Sequence, residues 1–365
     1  MTTKHSNKPD NTHNKMRTNA PTKTRKTKAT STGKTKAQHP NQQLSMPDIV
    51  WQPDVLGDGF QNTTLKTVDD AQITLVRYLP DAAAPSNDKI AVLYVHGFSD
   101  YFFQTHLAAA ITEAGYAFFA VDLRGYGRSM ASHMEAGGDP NMVPELAVHS
   151  RDLDAAVAAV RASGYEKVIL MAHSMGGLVA SLWASTRPGR VDAMVLNAPW
   201  FDLNESAFLR GPGTAAIKVL AEVAPTVVVG GLKPHYGKAL HKDTGGQWDY
   251  NLDWKPLSGF PVQAGWMASV RRAHERLNAG LDIDIPVLVL ASTRSGSAKM
   301  WHPRLTATDS VLDVEHIAKG AAALGSDVTF VQIAGGAHDL ALSHTPAARE
   351  DYLSAVTSWL GHLYH

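Results

Sequence analysis

The run EKVILMAHSMGGLVASLWA, residues 166–184, changes its period half-way along. Val168 to Met171 is continuously apolar and partly β-branched, the pattern of a strand buried on both faces. Leu178, Val179, Leu182 and Trp183 then recur at helical spacing. Ser174 stands where one pattern gives way to the other. A strand-to-helix turn there lifts a hydroxyl above a sheet and sets it at a helix N-terminus, whose free N–H groups favour negative charge. So tight a turn requires small residues two before and two after the serine. Gly176 meets this, and Ala172 stands where glycine is usual. A serine that merely caps a helix would give the same local pattern.

Outward from this junction, strands and helices alternate. KIAVLYVHGF and YAFFAVDLRGYGRS read as strands that break into loops at His96–Phe98 and Asp122–Ser129. THLAAAITEAG and ELAVHSRDLDAAVAAVRASG read as helices stopped by Gly115 and Gly164. VDAMVLNAPW, IPVLVLAS and VTFVQIAGGAH are further strands, LKTVDDAQITLVRYL folds back around Asp69 and Asp70, and a last helix starts near Pro346. Continuously apolar strands between helices predict a mostly parallel central sheet with helices on both faces, an α/β class. The alternation fails over 199–281, too long for a simple connection. That segment carries helical patches and Trp200, Trp248, Trp254 and Trp266, half of the eight tryptophans, and it reads as an inserted, mainly helical cap. The expected organisation is a basic tail over 1–45, a core over 46–198 and 282–365, and the cap between. A second insertion runs from Ser292 to about Thr308.

Composition narrows the classes of function. The 365 residues are 44% hydrophobic, as a soluble chain with a sizeable core should be. Residues 1–45 carry ten Lys or Arg against the single acid Asp10, a surplus that the rest must balance to reach net zero. The tail is almost free of apolar residues, so disorder and a solubilising role are expected, with no nucleic-acid partner. No apolar run is long enough to span a membrane and no signal segment opens the chain, which makes the cytoplasm the default expectation, with at most transient contact with a lipid surface. Without cysteine there is no thiolate nucleophile and no Cys-ligated metal.

A serine nucleophile needs a base, and the base an orienting acid, which in this architecture follow in the order Ser, Asp or Glu, His. His338, just past the strand VTFVQI, suits the base better than His344, six residues on. After PVLVLAS the first carboxylate is Asp309, with Asp313 and Glu315 behind it. Asp309 is preferred as the acid, although it could equally cap a helix opening at Ser310. The oxyanion donors expected are the N–H of Met175 and an N–H of the loop after His96, that of Phe98 foremost. His96 itself reads as a loop-structuring residue.

Taken in order, VHGFSDYFF, VDLRGYGRS, MAHSMGGLVA, DSVLDVEHI and GGAHDL resemble the α/β-hydrolase superfamily, and within it the monoacylglycerol lipase and lysophospholipase group that is also classed with serine aminopeptidase-like hydrolases. The resemblance runs from about residue 50 to the C-terminus. It implies Ser174, Asp309 and His338 as a catalytic triad, Phe98 and Met175 as the oxyanion hole, an architectural role for Asp122 and Arg124, and no metal or organic cofactor. The absence of HExxH and of a GxGxxG turn after the first core strand agrees with that implication.

Three readings of function stay open. The first is a carboxylester hydrolase taking a small-molecule ester with a small or medium acyl chain, such as a monoacylglycerol or lysophospholipid. Trp200, Trp254 and Trp266 are then the candidate acyl-binding residues, unless they form a small core of the cap itself. The second is an amide or peptide hydrolase with the same triad, which would need an acidic subsite; Asp202 and Glu205 are its candidates. The third is a non-catalytic binding protein on the same scaffold. Epoxide-hydrolase and dehalogenase chemistry is disfavoured because Ser, not Asp, holds the nucleophile position.

Overall fold

The computed structural model describes residues 49–80, 89–204 and 209–364. The basic tail expected over 1–45 and the subsite candidate Glu205 lie outside the described residues. Among the described residues eleven strands occur in chain order: β1 Gln52–Pro53, β2 Phe60–Lys66, β3 Gln72–Tyr78, β4 Ile90–Val95, β5 Ala117–Asp122, β6 Lys167–His173, β7 Ala193–Asn197, β8 Val228–Gly230, β9 Val262–Gln263, β10 Val287–Ser292 and β11 Val328–Ile333. Nine form one sheet in the order β1-β2-β3-β5-β4-β6-β7-β10-β11, and β8 and β9 make a separate ribbon. From β5 to β11 the neighbours are parallel, while β1, β2 and β3 add an antiparallel edge.

The apolar runs follow from burial on both faces. In β4 the alternate residues Ala91, Leu93 and Val95 enter one core cluster, and Ile90, Val92 and Tyr94 enter the other. The first face is covered by helices His149–Ala162, Met175–Ser185, Ala264–Asn278 and Val314–Ala321, the second by Thr105–Glu113 and Pro346–Tyr364. Both faces dry is what parallel strands require, since neither side can be left to water. The parallel arrangement also brings the C-terminal ends of β4, β6, β7, β10 and β11 to one edge. The pairs Val95↔Ala172, Ala172↔Leu196 and Ser292↔Ile333 mark that edge.

Between β7 and β10 the described residues of the 199–281 segment form helices Thr214–Val223, Pro234–Leu240 and Ala264–Asn278 and the β8–β9 ribbon. Helix Ala264–Asn278 buries Trp266, Val270 and Leu277 in the same cluster as Leu178 and Trp183. This part of the segment therefore shares the main core instead of closing one of its own. A smaller cluster of Tyr101, Phe103, Leu240, Tyr250 and Leu342, with Trp254 packed against it, joins the segment to the loop after β4.

The loop after β5 is held by ion pairs that are buried except at exposed Asp69. Arg128 bonds Asp54 and Asp122, each at 2.7 Å, and Arg124 bonds Asp152 at 2.7 Å and Asp69 at 2.8 Å. Asp122 also accepts the Phe102 N–H. The architectural role implied for Asp122 and Arg124 is visible in these contacts: removing one partner would strand a buried charge. Among the described residues no helix is long and apolar enough to cross a membrane.

Candidate active site

Strand β6 ends at His173, and helix Met175–Ser185 begins two residues later. Ser174 makes the turn at φ 52° and ψ −117°, a left-handed backbone that a non-glycine residue adopts only under strain. Its small neighbours have a visible purpose. A Cβ at Gly176 would lie 2.3 Å from the His96 carbonyl oxygen and 2.8 Å from that of Val95, so only glycine lets the helix start against the end of β4. At the usual glycine position, Ala172 fits in the sheet between Val95 and Leu196, fully buried.

Three side chains from separate elements meet at this turn. His338, five residues past the end of β11, holds Nε2 3.0 Å from Ser174 Oγ. Its Nδ1 lies 3.1 Å from a carboxylate oxygen of Asp309. Asp309 is fully buried, and its Oδ1 accepts the N–H groups of Val311 at 3.0 Å and Leu312 at 2.7 Å. The main chain of Asp309 is clamped as well: its N–H donates to the Arg294 carbonyl and its carbonyl accepts from Gly296.

The helix expected to open at Ser310 starts later, at Val314, and its N-cap is Asp313, which accepts the Glu315 N–H at 3.0 Å. The capping role considered for Asp309 thus belongs to Asp313. His344 is exposed, with its backbone N–H on Thr306. His96 is fully buried, donates from Nδ1 to the Gly97 carbonyl and accepts the Leu123 N–H at Nε2. It orders its loop, and burial lowers its pKa. That loop reaches the turn, where a Cβ at Gly97 would stand 3.1 Å from Ser174 Cβ. The residues expected to supply oxyanion donors, Phe98 and Met175, therefore flank Ser174 from the loop and from the helix start.

Ser174 and His338 open onto a cavity of about 290 Å³ whose apolar wall includes Phe98, Trp200, Leu232, Leu257, Val311 and Leu342. Of the three tryptophans expected there, only Trp200 lines it. Trp266 is buried behind Phe98, ring centres 4.6 Å apart, and Trp254 stands edge-on to Tyr101 at 5.1 Å. They back the pocket wall and do not face its contents. Sequence reasoning overlooked the polar side of the pocket. His173 is held by Nδ1 on the Asn197 carbonyl, and Lys255 pairs with buried Asp100 at 2.7 Å. Asp339 accepts from Gln104 and Asn197, and its own N–H donates to Tyr236. The only available signal was adjacency, since His173, Asp100 and Asp339 each sit within two residues of a motif position.

Asp100, His173 and Asp339 bring their ligand atoms within 4.8 Å of one another. A cation fits poorly there, because the Lys255 ammonium already occupies the Asp100 carboxylate and side-chain amides occupy Asp339. Asp202 pairs with Arg271 at 2.6 Å, which neutralises one candidate for an amine subsite. Arg271 also donates to Nδ1 of His274, while Nε2 of His274 donates to the Trp200 carbonyl.

Burial, followed by the Arg271 charge, depresses the pKa of His274 from the ordinary 6.5 to about 3. A depressed histidine contributes stability that is complete above pH 6.5 and is lost as the pH falls toward 3, because the unfolded chain takes up the proton first. Urea melts at pH 7.0 and 5.5 should therefore differ by at least about 1 kcal/mol from this group alone. The same change with pH in a His274→Gln variant as in the parent would mean that His274 titrates normally in the fold.

A family model described as serine aminopeptidase, S33, matches residues 86–343, well over half of the chain. The chain is an α/β-hydrolase of the serine aminopeptidase S33 family. Among curated relatives of this S33 hydrolase, a monoacylglycerol lipase of Mycolicibacterium smegmatis is 30% identical over 159 residues, covering 42% of this chain and 53% of that protein. Lysophospholipase L2 of Escherichia coli is 29% identical over 167 residues, covering 43% and 44%. The chain thus spans about half the length of the curated relatives it matches. Among solved structures, the monoacylglycerol lipase of Paleococcus ferrophilus superposes with a TM-score of 0.58 at 21% identity, over 76% of this chain and 95% of that one. At that identity the likeness concerns the fold.

Proposed function

We propose that this S33-family hydrolase is a serine esterase that cleaves carboxylic esters through an acyl-enzyme. The observation that carries the reading is the unbroken hydrogen-bonded line from Ser174 through His338 to Asp309, at 3.0 and 3.1 Å, opening onto a largely apolar cavity. In this mechanism Ser174 Oγ attacks the ester carbonyl as its proton passes to His338 Nε2. Asp309 keeps the other imidazole proton on Nδ1 and stabilises the imidazolium. The N–H groups of Phe98 and Met175 hold the oxyanion, each worth about 3 kcal/mol in comparable enzymes. The imidazolium then protonates the departing alcohol, and a water deprotonated by His338 releases the acid.

Phe98, Trp200 and Leu232 suit a small or medium acyl chain, and the relatives named monoacylglycerol lipase and lysophospholipase point to esters of that kind. The segment 199–281 acts as the cap that completes this pocket. The family description favours amide hydrolysis as the second reading. Against it stands the shortage of an uncommitted acid among the described residues: Asp202 is paired with Arg271 and Asp100 with Lys255. A series of p-nitrophenyl esters of increasing acyl length, run beside an alanine anilide, separates the readings. Ester turnover that peaks at short or medium chains, with anilide turnover at least about a hundredfold slower, is expected. Dominant anilide cleavage would establish the aminopeptidase reading, and inactivity on both would leave a binding protein.

A further inference from the structure

The loop after β4 carries the proposed oxyanion donor Phe98, and a strap of the 199–281 segment is tied to that loop residue by residue. The N–H of Phe98 has no hydrogen-bond partner among the described residues, as a donor waiting for an oxyanion requires. The next three residues each take one bond from the strap, residues 251–260, which forms neither helix nor strand. Ser99 Oγ accepts the Phe260 N–H at 3.0 Å, the Asp100 carboxylate accepts the Lys255 ammonium at 2.7 Å, and Tyr101 Oη accepts the Asn251 N–H at 2.8 Å. All three acceptors belong to buried residues. Burial alone would raise the Asp100 pKa, but the Lys255 charge holds it below the ordinary carboxylate value. A buried carboxylate paired in this way does not easily give up its cation.

Both partners are shaped for the contact. Gly259 of the strap has φ 64°, and a Cβ there would stand 2.9 Å from Leu232 Cδ1 and 3.1 Å from Ser99 Oγ. On the loop, Ser99 has φ 54°, a left-handed backbone that a non-glycine residue keeps only where its surroundings over-determine it. The core secures the ends of the loop, at Gly97 through His96 and at Phe102 through Asp122. Between those ends, the side-chain hydrogen bonds of Ser99, Asp100 and Tyr101 all run to the strap.

We infer that the strap fixes the Phe98 N–H at its working place in the oxyanion hole, which makes Ser99, Asp100 and Tyr101 positioning residues. The inference rests on the esterase reading. It gives the 199–281 segment a part in the chemical step, besides the pocket wall to which Lys255, Pro256 and Leu257 contribute. The physical reason is the short reach of the donor. An oxyanion is stabilised by an N–H held within about 2.7–3.1 Å of it, and a loop that drifts from that distance loses most of the benefit.

Tyr101→Phe and the double variant Ser99→Ala/Tyr101→Phe test this, because each removes hydroxyl groups only. Tyr101 does not line the cavity, so its variant leaves the pocket wall as it is. Kinetics on a p-nitrophenyl ester are measured beside inhibition by a trifluoromethyl ketone. Ser174 Oγ adds to the ketone carbonyl, the serine proton passes to His338, and the new oxyanion faces Phe98 and Met175. A fall in kcat of about threefold to tenfold is expected for Tyr101→Phe, and of about tenfold to a hundredfold for the double variant. Ketone affinity should fall in proportion. Acylation and deacylation both pass through an oxyanion, so KM should stay within about twofold. Urea melts give the folded fraction under assay conditions. Unchanged kcat in the double variant, a raised KM with kcat intact, or a lower kcat with ketone affinity unchanged overturns the inference. So does a loss of activity equal to the loss of folded protein. A parent chain without ester turnover would overturn the esterase reading and this inference with it, whereas an active parent whose double variant is equally active overturns this inference alone.

Discussion

Ser174→Ala should lower ester turnover by about ten-thousandfold or more, because the nucleophile is lost and the remaining groups cannot act without it. Melting should change little, since alanine occupies the same space in the same strained turn. Ser174→Gly sharpens the test. It removes the same hydroxyl, but glycine adopts φ near 52° without penalty. That variant should be equally inactive and about 1 kcal/mol more stable. Ester hydrolysis measured beside urea melts distinguishes the two effects. An alanine variant within tenfold of the parent would move the chemistry away from this turn.

Asp309→Asn should cost about a thousand- to ten-thousandfold in turnover while leaving the fold intact. The asparagine carbonyl can still accept the Val311 and Leu312 N–H groups that Oδ1 now accepts. What it cannot do is hold a proton on His338 Nδ1 from its amide side, so the imidazole turns to the tautomer that cannot accept the serine proton. Asp313→Asn makes the contrast. That residue caps helix Val314–Ala321, and asparagine caps almost as well as aspartate, so activity should stay within about twofold. Steady-state kinetics on both variants with one ester decides between them; the reverse pattern would transfer the acid to Asp313.

Some of this molecule is readable in the chain and some is not, for physical reasons. Strands such as Ile90–Val95 and Lys167–His173 announce themselves because both faces are dry, and dryness on two faces allows no polar interruption. The β8–β9 ribbon, at three and two residues, is too short for any period to show. Ser174 stands out because a period changes at it, and His338 because it closes the last apolar run. Asp309 is preferred in the chain because an acid at a loop end can point toward the histidine, and the helix start weighed against it belongs to Asp313. Depth is what composition conceals. Trp200 and Trp266 look alike in the chain, yet one lines the cavity and the other is buried behind it. Pairs such as Asp100 with Lys255, 155 positions apart, have no local signature at all.

The reactivity of one hydroxyl tests the account most directly. The protein should be treated with a fluorophosphonate, which phosphonylates activated serines, then digested and its peptides weighed. The account predicts a single stoichiometric adduct on Ser174, abolished by His338→Ala and accompanied by complete loss of ester turnover. Ester hydrolysis that survives full labelling of Ser174, or an active protein whose Ser174 stays unmodified, would contradict it.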